Sequence, residues 1–120
     1  MLPFPITTLD ITILNFWGYY ETKYGRESCI KIQNKMVNSN SLAKLCGLSI
    51  SQNRPPTTHD FRLIGSNMFL LGSVEKITFA ALIALREWNQ RINKVYNMAS
   101  QETVDALCRN IILQSRLPHL

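Results

Sequence analysis

Residues 73–98 read SVEKITFAALIALREWNQRINKVYNM, and the reading of this stretch decides the fold. Ile77, Ala81, Leu85, Trp88, Ile92 and Val95 recur at steps of three and four, the spacing of one helical face. No Gly or Pro interrupts Val74 to Met98. Ser73 offers a side-chain acceptor to the first backbone N–H groups, and Glu75 puts a carboxylate where the helix dipole favours it. From Ile77 to Leu85 the sequence is apolar nearly all round, Thr78 apart. A helix of that kind lies at the centre of a fold or in an interface. Its later part is amphipathic, with Arg86, Gln90, Arg91 and Lys94 turned outward.

Downstream, Ser100 caps a second helix, with Glu102 and Asp105 near its start and Arg109 and Arg116 further on, as the dipole prefers. Val104, Leu107, Cys108, Ile111 and Ser115 form one face, and Pro118 ends it. The short separation from the preceding helix predicts an antiparallel helical hairpin. Upstream, Phe61-Arg62-Leu63-Ile64 and Met68-Phe69-Leu70-Leu71 flank Gly65-Ser66-Asn67. Two short apolar runs about a Gly-containing turn suggest a small β-hairpin over about residues 61–71; one helix broken at Gly65 is the alternative. Ser49 to Asp60 is the most loop-like stretch, with Pro55-Pro56 opposed to regular pairing and Thr57-Thr58 adding no core.

In the first half, Thr7 and Asp10 resemble a capping pair, and Leu9, Ile13, Phe16, Tyr20 and Tyr24 share a helical face. Leu9 to Ile13 also alternates with period two, as a strand would; helix is preferred. Gly18 penalises such a helix by roughly 1 kcal/mol unless a neighbour needs close approach there. Gly25 is a natural stop. Arg26 to Val37 reads as a helix with Cys29, Ile30, Ile32, Met36 and Val37 on or near one side. Asn38-Ser39-Asn40 reads as a break and a cap, and Ser41 to Cys46 as a short helix ended by Gly47. The expected fold is mostly α: a compact bundle of four to six helices in a single domain over residues 1–120.

Composition bounds the rest. Apolar residues are 46% of the chain, enough for a core, and charged residues 18%, against about 25% in an average soluble domain. Either Asn, Gln, Ser and Thr cover the surface, or part of it is buried against another chain. The net charge of +5 favours an acidic partner such as nucleic acid, anionic lipid or an acidic protein. Cys29, Cys46 and Cys108 are odd in number and widely spaced, which suits reduced, buried thiols rather than a zinc or dithiol site. Met1 to Ile6 carries no Lys or Arg, so no secretory signal is expected, and no apolar run approaches the roughly 20 residues of a membrane span. A cytoplasmic protein is the expectation.

Ser41-Leu42-Ala43-Lys44-Leu45-Cys46-Gly47-Leu48-Ser49-Ile50-Ser51 resembles the first helix and turn of a helix-turn-helix. In that motif a small residue, here Ala43, lets two helices approach, and a glycine four residues on, here Gly47, makes the turn. The resemblance implies a recognition helix from Ser49 that enters the major groove. It departs from the pattern at Asn53 and Pro56, where apolar core residues belong. A capped helix packed in a core is the competing reading.

Between Ser28 and His59 stand four cations, Lys31, Lys35, Lys44 and Arg54, and no acid. Such a patch suits phosphates, with Ser49, Ser51, Gln52 and Asn53 nearest the bases. Phe16-Trp17-Gly18-Tyr19-Tyr20 puts four aromatics in five residues, and with Trp88 these side chains are candidates for a protein interface. Catalysis has little support: His59 and His119 are the only histidines, acids are sparse, and no nucleophile, phosphate-loop or metal motif occurs. No cofactor, metal or small-molecule substrate is expected. Two expectations remain: a small basic nucleic-acid-binding protein, or a non-catalytic protein-interaction module that binds a protein partner or forms a homo-oligomer.

Overall fold

The computed structural model describes residues 8–37, 40–69, 73–96 and 100–115. Six helices succeed one another: α1 (Thr8–Tyr24), α2 (Arg26–Val37), α3 (Asn40–Gln52), α4 (Thr58–Phe69), α5 (Val74–Tyr96) and α6 (Gln101–Ser115). No strand occurs among the described residues. The Cα radius of gyration is 13.6 Å, as close packing of a chain this long requires.

The stretch over 73–98 becomes α5, and every other helix packs against it. Thr78 to Leu85 are all buried, followed by Trp88 and Ile92. The all-round apolar segment therefore lies at the centre of the fold and offers no outer interface. Thr78, inside this run, satisfies its hydroxyl by donating to the Val74 carbonyl at 2.8 Å. Ser73 Oγ accepts from the Lys76 N–H at 3.3 Å, and Ser100 Oγ accepts from the Thr103 N–H at 3.2 Å, so both expected caps form. α6 packs on α5 through Val104, Cys108, Ile111 and Ile112, which are buried.

α1 is a helix and not a strand. Leu9, Ile13, Phe16 and Tyr20 are buried on its inner face and Tyr24 is half-buried. Thr7 of the expected capping pair lies outside the described residues, as do Asn38 and Ser39 of the expected break. Gly25 stops α1 as expected: its φ is +89°, and its N–H donates to the Glu21 carbonyl at 2.9 Å. α2 buries Cys29 and Ile32, but Ile30 is exposed.

Two expectations are corrected. The β-hairpin over residues 61–71 is absent; Thr58 to Phe69 is one helix, and it is not broken at Gly65 (Leu70 and Leu71 lie outside the described residues). Thr58, Phe61, Ile64 and Gly65 form one buried helical face against α5. Gly65 serves contact rather than a turn. A Cβ there would stand 3.0 Å from the Ile77 carbonyl oxygen and 3.3 Å from Ala80 Cβ. The helix starts from a reciprocal cap: the Asp60 N–H donates to Thr57 Oγ1 at 3.2 Å, and the Thr57 N–H donates to Asp60 Oδ2 at 2.8 Å.

The second correction concerns α3, which does not end at Gly47 but runs to Gln52. Asn53 ends it, in the left-handed region at φ +50°. The Arg54 N–H donates to the Ser49 carbonyl at 3.2 Å and the Asn53 N–H to the Ile50 carbonyl at 3.3 Å, the two bonds of a Schellman stop. No turn separates Gly47 from Leu48 and Ser49, and Ala43 is exposed rather than pressed against a second helix. The helix-turn-helix reading therefore fails.

Candidate nucleic-acid interface

The cationic stretch folds as α2, α3 and the loop after them. On α2, Cys29 and Ile32 turn into the core, which sets Lys31 and Lys35 on the opposite, exposed side one helical turn apart. On α3, Leu42, Leu45, Cys46 and Ser49 turn inward and Lys44 outward. None of these three lysines enters a salt bridge among the described residues. Lys31 stands one turn after Glu27 and one turn before Lys35, so a favourable and an unfavourable spacing of charge meet at it.

Arg54 behaves differently. Its Nη1 stands 3.4 Å from Asp60 Oδ2 and donates to the Pro55 carbonyl at 3.2 Å, while Nε donates to Gln52 Oε1 at 2.6 Å. It braces the α3–α4 connection. Burial pushes the Asp60 carboxyl up, but the two Thr57 hydrogen bonds and Arg54 outweigh this and hold it below the usual carboxylate range.

The uncharged residues expected nearest the bases are not brought together as a reading surface. Ser49 is buried, and its hydroxyl has no hydrogen-bond partner. It is a core residue, because α3 continues past Gly47 and carries position 49 onto the inner face. Ser51 donates to the Leu48 carbonyl at 3.1 Å, and the Gln52 carbonyl serves Arg54. Asn53 is exposed, but its backbone role is to end α3.

The aromatic interface is corrected in the same way. Phe16, Tyr20 and Trp88 are buried. Tyr20 stacks on Phe79 at 5.3 Å between ring centroids, Phe16 lies 6.3 Å from the same ring, and Trp88 meets Phe61 edge-on at 6.2 Å. Burial holds the Tyr20 hydroxyl far above the usual tyrosine range. Trp17 and Tyr19 remain half-exposed, with Trp17 against Phe79 at 5.7 Å. One polar latch has no signal in the sequence. Glu75, in the first turn of α5, accepts from Lys23 Nζ at 2.6 Å and from the Tyr24 hydroxyl. Lys23 and Lys76 lie 5.5 and 5.3 Å from the centre of the Tyr24 ring. Tyr24 and Lys23 are 51 and 52 positions from Glu75 in the chain, and no local pattern links them.

All three cysteines are free and buried, and burial pushes each thiol up. Among the described residues no group of three His, Cys, Asp or Glu side chains could hold a metal ion. Among the same residues no helix is long and apolar enough to cross a membrane. These features define a class, the all-α bundle built on one central helix. No known family, curated protein or solved structure matches the chain.

Proposed function

We propose that this is a non-catalytic nucleic-acid-binding protein that grips phosphates through the outer sides of α2 and α3. The observation that carries the reading is the exposure of Lys31, Lys35 and Lys44, without a salt bridge among the described residues, on a stretch, residues 28–59, that has no acid. With Ser49 buried and Ser51 and Gln52 engaged locally, the contacts are to the backbone, and binding is insensitive to base sequence. Anisotropy titrations of duplex and single-stranded DNA and RNA over a salt series test it. Affinity falls steeply with salt as counterions are displaced. Changing Lys31, Lys35 and Lys44 together to Ser reduces the log–log salt slope on duplex DNA by about 2.7, at about 0.9 per phosphate contact. Absence of binding at low salt, or an unchanged slope in the triple variant, refutes the reading. Arg54 is left intact, since its removal would disturb the start of α4.

The second reading, a protein-interaction module, loses Phe16, Tyr20 and Trp88 to the core. It keeps the partial exposure of Trp17 and Tyr19 and the exposed apolar side chains scattered over the helices, Ile11 and Leu14 on α1 among them.

A further inference from the structure

We draw no further inference here: the strongest candidate, the buried Tyr20 hydroxyl at the junction of α1 and α5, has no hydrogen-bond partner among the described residues and packs its ring on Tyr24, but it is a lone buried group and nothing in the structure shows what it would hold.

Discussion

Replacing Gly65 by Ala tests how α4 is seated on α5. The added methyl would lie 3.0 Å from the Ile77 carbonyl oxygen and 3.3 Å from Ala80 Cβ. Neither is the movable end of a flexible side chain. One is backbone, the other a Cβ fixed to it, and both belong to the central helix. To relieve the contact, α4 must shift away from α5 and carry Phe61 and Ile64 with it. Overpacking of this kind costs about 1–3 kcal/mol. The helix itself gains about 1 kcal/mol from losing a glycine. The balance is a destabilisation of up to about 2 kcal/mol, a fall in thermal midpoint of up to roughly 8 °C for a chain of this size. Gly47→Ala is the internal control. Gly47 lies inside α3, and an added Cβ meets nothing within 4 Å, so only the propensity gain acts and stability rises by about 0.5–1 kcal/mol. Urea denaturation of the two variants, with unchanged m-values, reads the difference. If Gly65→Ala proves as stable as Gly47→Ala, Gly65 is not at the α4–α5 contact and the packing argument is wrong.

Asn53→Gly raises thermal stability by several tenths of a kcal/mol and Asn53→Ala lowers it by about 1, because φ at this position is +50° and favours glycine; the reverse order in melting experiments would place the helix stop elsewhere. Ser49→Ala removes a buried hydroxyl that has no partner, so stability holds or rises by up to about 1 kcal/mol, and affinity for nucleic acid does not change; weaker binding in a titration would return Ser49 to the interface. The hydrogen bond from Lys23, and then that from Tyr24, hold the Glu75 carboxyl below the usual glutamate range. A depressed folded pKa stabilises above the unfolded value and is lost as pH falls through the folded one. The stability gap between wild type and Glu75→Gln is therefore full at neutral pH and closes in acid; a gap independent of pH in paired denaturation curves contradicts the latch. Finally, the three buried thiols react with Ellman's reagent only after denaturant is added, whereas a fast native reaction would mean that one of them is exposed.

Much of the helical framework is legible in the sequence because its signals are local. The Ser73 and Ser100 caps, the stop at Gly25 and the inner face of α1 each depend on residues within a turn or two of one another. The segments where structure and sequence reading part share one cause. Glycine reads as punctuation at Gly47 and Gly65, yet it stands mid-helix at both. The signals that set the true boundaries are also local: Thr57 and Asp60 form a cap that starts α4, and Asn53 ends α3. The candidate binding face is legible as an acid-free cationic stretch, but the parts of Ser49 and Arg54 in it are not. The run of α3 beyond Gly47 to Gln52 turns Ser49 inward, and Arg54 finds Asp60 across the loop.

What the sequence by itself determined is the set of helices with strong periodicity, the all-round apolar character of the stretch from Ile77 to Leu85, and the positive bias of residues 28–59. Each comes from spacing or count along the chain. Only the tertiary structure decided which aromatics were core, since Phe16, Tyr20 and Trp88 are buried by helices distant in sequence. The tertiary structure likewise decided that Gly65 is a contact while Gly18 faces open space. Two glycines in helices look alike to their neighbours in the chain, and only the presence or absence of a packed helix beside each one tells them apart.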